Sequence, residues 1–65
     1  MKGNPFKRAN RLWFREGRTA KALAAYGEAL RAAPMDPVVA FQFARVLWSL
    51  DRFDEARFLL DQANA

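Results

Sequence analysis

Two groups of residues in this sequence combine cationic side chains with aromatic rings at helical spacing. The first group is Lys7, Arg11, Phe14 and Arg15, and the second is Phe41, Arg45 and Trp48. Because residues three, four and seven positions apart share one face of an α-helix, each group predicts one continuous surface. Guanidinium groups bind carboxylates bidentately, and large aromatic side chains anchor bound peptides. The spacing therefore predicts a surface for an acidic, partly apolar peptide; the alternative is that the rings only pack between helices.

Residues that could perform catalysis or hold a metal are scarce. The sequence has no cysteine and no histidine, and Ser49 is its single serine. Nucleophilic catalysis needs an activated Cys or Ser beside a base, and metal sites need clustered ligands. The adjacent carboxylates of Asp54 and Glu55 would diverge around a helix instead of pairing. We therefore expect no enzymatic activity, no metal site and no cofactor.

The length and charge of the chain limit its organisation. Its 65 residues allow one domain, spanning residues 1–65. A chain this short buries only about 60% of its unfolded surface, so oligomerisation is the remaining natural source of burial when no cysteine cross-links it. The net charge of +4 is uneven, with eight basic and two acidic residues in 1–33 against three and five in 34–65. This asymmetry favours an acidic partner or head-to-tail association into a homo-oligomer; the alternative is solvated helix faces.

Nucleic acids and membranes are the other partner classes to consider. Basic residues near Phe6, Trp13 and Phe14 would allow phosphate contacts and base stacking, but no nucleic-acid-binding motif is present, so this is the less favoured alternative. No apolar run approaches the roughly 18 residues that cross a bilayer. No apolar stretch of the signal-peptide kind follows the N-terminus. With no cysteine in the sequence, we expect a cytoplasmic protein without membrane insertion.

Four helices must position these residues, and each has its own start and stop signals. Asn4 and Asp36 each precede a proline, which is typical of an N-cap followed by the first helical residue. Thr19 and Asp51 are predicted to cap the second and fourth helices, and Gly17 to end the first. Connections of two to four residues require antiparallel neighbours. The chain is therefore predicted to be all-α.

The sequence repeats itself at an offset of 34 residues, which places Gly17 over Asp51. Small and large residues recur at this spacing, as close helix packing requires. In the first unit they are Phe6, Ala9, Asn10, Trp13, Ala22, Tyr26, Ala29 and Pro34, and in the second Ala40, Phe43, Ala44, Leu47, Ala56, Leu60 and Ala63. The period and these positions resemble the tetratricopeptide repeat. Two tandem repeats are assigned, over about 3–36 and 37–65.

This resemblance implies both a fold and a function. The implied fold is two antiparallel helix-turn-helix hairpins, four helices in all, in a right-handed superhelical arrangement without a C-terminal capping helix. Members of the family bind proteins or peptides in a concave groove lined by the first helix of each repeat. By position, the groove residues here are Lys7, Arg11, Phe14, Arg15, Phe41, Arg45 and Trp48.

One departure from the family pattern concerns the ligand. Some members grip the C-terminal carboxylate of a peptide with a clamp of Lys and Asn side chains. Lys7 matches the first clamp position, whereas Arg11 and Gln42 stand where Asn is expected. The remaining clamp residues would come from a third repeat, so a complete clamp is not expected in this chain.

A second departure concerns the number of repeats. Repeat arrays generally need about three units and a polar cap at the end. With two repeats, the apolar side of the fourth helix has no following unit to cover it. Either a longer protein or another molecule would supply that unit, and the second case predicts self-association through Leu59, Leu60 and Ala63.

Overall fold

The computed structural model describes residues 4–64, which form helices and contain no strand. Helix α1 spans Pro5–Asn10 and continues as a π-helical turn over Arg11–Arg15; α2 spans Thr19–Ala32, α3 Pro37–Ser49 and α4 Phe53–Ala63. The first hairpin comprises α1, the π turn and α2, and the second comprises α3 and α4. The predicted all-α fold with two helix hairpins is confirmed. The outer ends of the predicted repeats, Gly3 and Ala65, lie outside the described residues.

Two of the predicted helix caps are present. The side-chain oxygen of Asn4 accepts hydrogen bonds from the backbone N–H groups of Phe6 and Lys7, at 2.8 and 3.4 Å. The Asp36 carboxylate accepts a hydrogen bond from the N–H of Val38 at 2.9 Å. Each cap precedes a proline at the first helical position, where the missing N–H leaves no hydrogen bond unmade. Helices α1 and α3 therefore begin where the sequence predicts.

The predicted caps of α2 and α4 are each wrong by one residue. Thr19 is the first residue of α2, and Arg18 occupies the N-cap position. Arg52 likewise precedes α4, because Asp51 adopts the left-handed conformation, with φ 61°, that ends α3. Gly17 ends the first helix with φ 64°, and glycine takes up this conformation without steric cost. A side chain there costs roughly 1 kcal/mol, so the turn at Asp51 is the more strained of the two.

Each hairpin encloses a small apolar core, and the two cores show how the repeats correspond. The core of the first hairpin includes Ala9, Leu12, Ala22 and Ala25, and that of the second consists of Ala44, Leu47, Ala56 and Leu59. Core residues on the second helix of each hairpin are 34 residues apart, as predicted. Core residues on the first helix are 35 apart, since Ala9 matches Ala44 and Leu12 matches Leu47. The predicted period therefore holds only for the second half of the repeat.

The π turn accommodates the additional residue. The N–H of Arg18 donates to the carbonyl of Leu12 at 2.9 Å, six residues back. The N–H of Arg52 donates to the carbonyl of Leu47 at 2.9 Å, which is five residues back. A π turn closes its hydrogen bonds over five residues instead of four, so one more residue fits into the same stretch of helix. The two turns are thus equivalent despite their different lengths.

The corrected correspondence is also visible in the sequence. Residues 6–13 and 41–48 share the pattern Phe-x-x-Ala-x-x-Leu-Trp. Phe41 and Trp48 therefore correspond to Phe6 and Trp13 of the first hairpin. The predicted alignment of the first helices is therefore wrong by one residue. It takes its period of 34 from the turn residues, and the extra residue lies before that turn.

Tyr26 joins the two hairpins. Its side chain is completely buried; its ring stacks on that of Phe43 at 5.6 Å between centroids and meets the edge of Phe6 at 6.3 Å. Its hydroxyl donates a hydrogen bond to Oδ1 of Asn10 and accepts one from Nε2 of Gln42 at 3.3 Å. Burial raises the pKa of the Tyr26 hydroxyl, and the hydrogen bond from Gln42 partly offsets this. Asn10, predicted only as a small packing residue, is therefore also a hydrogen-bond partner across the helix pair.

Candidate peptide-binding surface

A shallow notch lies where the end of the first helix meets α3. It has a volume of ≈ 70 Å³ and is lined by Trp13, Phe14, Gln42, Arg45, Val46 and Ser49. Phe14 is 68% exposed. Phe14 and Arg45 come from different hairpins, so the fold brings one ring and one cation of the predicted groove together.

One cation, Arg45, lines the notch, and the other predicted groove cations are on the first helix. Lys7, Arg15 and Arg45 are exposed, and among residues 4–64 none of them lies within 4.0 Å of a carboxylate. Arg11 differs, because its Nε lies 3.4 Å from a carboxylate oxygen of Glu16. Exposed cations without a carboxylate beside them raise the local positive potential, which attracts acidic ligands. Three of the four predicted groove cations are therefore available to a ligand.

The π turn changes the surface that the residue spacing predicts. Phe14 and Arg15 belong to this turn, whereas Lys7 lies in the preceding α-helix. Residues of a π turn advance more slowly around the helix axis than residues of an α-helix. Phe14 and Arg15 are therefore rotated relative to Lys7, and the first predicted group follows a twisted strip instead of one straight face.

Phe41 and Trp48 do not line the notch. They follow Val39 and Val46, both buried, by two residues each, and two residues of an α-helix are about 200° apart. They therefore lie on the side of α3 that faces away from these two valines, where Phe41 is 40% and Trp48 56% exposed. The Trp48 ring meets the edge of the Phe53 ring at 4.7 Å between centroids. Of the second predicted group only Arg45 lines the notch, and Phe41 and Trp48 flank it along the same side of α3.

Comparison with known families decides the identity of the fold. The family profile described as tetratricopeptide repeat matches residues 14–65, which is most of the chain. The chain belongs to the tetratricopeptide-repeat family. No curated protein and no solved structure matches it. Tetratricopeptide repeats are non-catalytic modules that generally mediate protein–protein interaction.

The two tetratricopeptide hairpins present one equivalent face in different surroundings. In the first hairpin this face packs into the core that α3 completes, and it consists of Phe6, Trp13 and Tyr26. In the second hairpin the corresponding residues are Phe41, Trp48 and Leu60. We call Phe41, Trp48 and Leu60, together with Phe53, the aromatic face. Its aromatic members are 40–56% exposed. The second hairpin therefore exposes to solvent the face that packs against α3 in the first hairpin.

The residues predicted for self-association lie only partly at the surface of the tetratricopeptide pair. Leu59 is 7% exposed and belongs to the core of the second hairpin. It packs there because the inner side of α4 is covered by α3. Leu60 and Ala63 are half-buried, and Leu60 borders the same core. Sequence reasoning missed Phe53, whose contact with Trp48 follows from the fold and not from any spacing along one helix.

Residues 4–64 bring together no group of three or more side chains suited to a metal ion. No helix within the same range is long and apolar enough to span a bilayer.

Proposed function

We propose that this chain binds an acidic, partly apolar peptide along the strip formed by its first helix and α3. The observation that carries the proposal is the notch where Phe14 and Arg45 meet, with Lys7 and Arg15 exposed. Carboxylates of the peptide would pair with these cations, and an apolar side chain would contact Phe14. A cytoplasmic setting, which the absence of cysteine favours, is part of the proposal.

Reversing two groove charges is expected to weaken binding of an acidic peptide about tenfold. The variant combines Arg15→Glu with Arg45→Glu, and the probe is a capped peptide of four Glu and two Leu residues. Each reversal replaces an attraction by a repulsion, and two exposed charges together contribute about 1.4 kcal/mol, which is tenfold in Kd. Isothermal titration calorimetry at an ionic strength of about 0.15 M, where the Debye length is about 8 Å, measures the change.

The matched control combines Lys21→Glu with Arg31→Glu, which changes the net charge equally at exposed positions of α2. Its Kd should stay within about twofold of the parent value, since distant exposed charges are screened. Equal losses in both double variants would show that net charge alone governs binding and would overturn the groove assignment. A single-stranded RNA oligonucleotide is the second probe, and tighter binding of it than of the peptide would favour the nucleic-acid alternative.

We also propose that two copies associate through their aromatic faces. The equivalent face of the first hairpin is covered by α3, and tetratricopeptide arrays bury a continuous core by stacking hairpins in this way. The first helix could not replace α3 in a head-to-tail contact, because cations stand at the matching positions. Lys7, Arg8, Arg11 and Arg15 correspond to Gln42, Phe43, Val46 and Leu50. A symmetric contact between two second hairpins is therefore favoured over the head-to-tail contact that the charge asymmetry predicts.

Trp48→Lys is expected to convert a dimer of the parent chain into a monomer of 7.4 kDa. In a symmetric contact one substitution places two ammonium groups in the interface, which disfavours association strongly. Phe58→Lys is the control, because Phe58 is 59% exposed, close to the 56% of Trp48, and lies outside the aromatic face. Light scattering after size-exclusion chromatography gives the mass over a concentration series. A monomeric parent chain, or a dimer that Phe58→Lys dissociates equally well, would sink this proposal.

A further inference from the structure

A second concave site lies between α3 and α4, apart from the notch. This cleft has a volume of ≈ 350 Å³ and is lined by Phe43, Leu47, Asp54, Glu55, Phe58 and Leu59. Leu47 and Leu59 are buried members of the hairpin core and form its apolar floor. Phe58 is 59% exposed and forms one wall. The cleft is therefore large enough for an apolar side chain and open to a ligand from solvent.

The rim of the cleft carries more carboxylates than cations, with Asp54, Glu55 and Asp61 against Arg52 and Arg57. The two carboxylate oxygens of Glu55 accept hydrogen bonds from Nε and Nη2 of Arg52, at 2.6 and 3.0 Å. Asp54 is exposed, and within residues 4–64 no cation lies within 4.0 Å of its carboxylate. Asp61 lies seven residues after Asp54 and three after Phe58, on the same side of α4. Arg57 is exposed on this side as well, three residues after Asp54 and four before Asp61, and within residues 4–64 it lies more than 4.0 Å from either carboxylate. The Phe58 ring is thus flanked by two exposed carboxylates and one guanidinium group.

Helix packing within the repeat does not require these residue types. The corresponding positions of α2 are 34 residues earlier and hold Ala20, Lys21 and Ala24 in place of Asp54, Glu55 and Phe58. The three α2 residues are exposed as well. The first hairpin forms its core with neither an aromatic ring nor a carboxylate at this site. The cleft is therefore a particular feature of the second hairpin.

We propose that this cleft is a second docking site, which binds a cationic peptide segment carrying one apolar anchor. The anchor, of the size of Leu, would lie on Leu47 and Leu59 beside the Phe58 ring. A neighbouring Lys or Arg would pair with Asp54 and contact the ring face of Phe58. Arg45 lines the notch, whereas Asp54 and Glu55 line the cleft, so the two sites would select partners of opposite charge. The chain would then connect an acidic partner to a basic one.

Binding of a capped peptide of four Lys and two Leu residues tests this proposal. We expect a 1:1 complex with the parent chain, measured by isothermal titration calorimetry, and about fivefold weaker binding to Asp54→Lys. Phe58→Ala should weaken binding by a similar factor without unfolding the chain, because Phe58 is largely exposed. Circular dichroism of each variant verifies that its helices are retained.

Glu28→Lys is the matched control for charge. It changes the net charge as Asp54→Lys does, at an exposed position of the other hairpin where Glu28 pairs with Arg8 at 4.0 Å. Its affinity for the cationic peptide should stay near the parent value. No binding to the parent chain, or equal losses in Asp54→Lys and Glu28→Lys, would overturn the cleft assignment. The acidic peptide is titrated in parallel, and because Asp54→Lys leaves the groove intact, failure at one site is distinguishable from failure at the other.

Discussion

Tyr26→Ala is expected to lower the free energy of unfolding of the chain by about 3–5 kcal/mol. Truncating a buried aromatic side chain to alanine costs about 3–5 kcal/mol, because transfer energy is lost and a cavity remains. Tyr26 is completely buried, contacts Phe6 and Phe43, and hydrogen-bonds on both sides of the hairpin junction. A domain of this length has a total stability of only about 3–10 kcal/mol. One side chain therefore accounts for a large part of the stability of the whole chain.

Tyr26→Phe is the matched control, because it keeps the ring and removes only the hydroxyl. Its expected cost is about 1 kcal/mol, since Asn10 and Gln42 each lose one hydrogen bond. Urea unfolding followed by circular dichroism measures both variants. If Tyr26→Ala and Tyr26→Phe unfolded at the same urea concentration, ring packing would not stabilise the junction between the hairpins.

The same hydroxyl makes stability depend on pH. Because burial raises the pKa of Tyr26 in the folded chain, the unfolded chain releases this proton first as the pH rises. The contribution is fully present below the ordinary pKa of 10.0 and is lost as the pH rises through the higher folded value. The unfolding midpoint of the parent chain should therefore fall above pH 10 relative to that of Tyr26→Phe.

Ala22→Leu is expected to destabilise the chain by about 2–3 kcal/mol. Ala22 is completely buried and faces Ala9 and Leu12 in the core of the first hairpin. Alanines at such positions let the two helices approach closely, so a larger side chain must push them apart or take a strained rotamer. Urea unfolding gives the change in free energy, provided that the slope of the transition is unchanged.

The control for this substitution lies two residues further along the same helix. Ala24 is exposed, so Ala24→Leu adds the same atoms without entering the core and should change stability by less than about 0.5 kcal/mol. Leucine and alanine also differ little in helix propensity. Similar losses at Ala22 and Ala24 would contradict the close approach of the helices in the first hairpin.

Much of the fold was accessible from local signals in the sequence. Asn4 and Asp36 cap their helices as predicted because their side chains bond to N–H groups two residues away, which depends on no distant contact. Gly17 ends its helix for a similarly local reason, its positive φ. Asp51 was misassigned because Asp is common both at helix N-caps and in left-handed turns, and the residue type alone does not choose between them.

The candidate site was less predictable, because it depends on how helices rotate and meet. Periodicity grouped Phe14 with Lys7, but the π turn rotates one relative to the other. Periodicity also grouped Phe41 and Trp48 with Arg45, but only Arg45 lines the notch. Leu59 is predicted at an interface because the sequence shows that one side of α4 is apolar. The sequence does not show that α3 covers this side. The cleft beside Phe58 combines residues from two helices and has no signature in either one.

The π turn has a consequence for how such repeats diverge. A single-codon insertion within a helix would ordinarily displace every following side chain by about 100° and disrupt the packing. Here the added residue is confined to the end of the first helix, and equivalent residues still form the core on both helices of each hairpin. The repeat unit can therefore change length by one residue without losing its stacking. In such a pair of repeats, equivalent residues are separated by one offset in the first helices and by another in the second helices. A search at one fixed period therefore detects only one of the two halves.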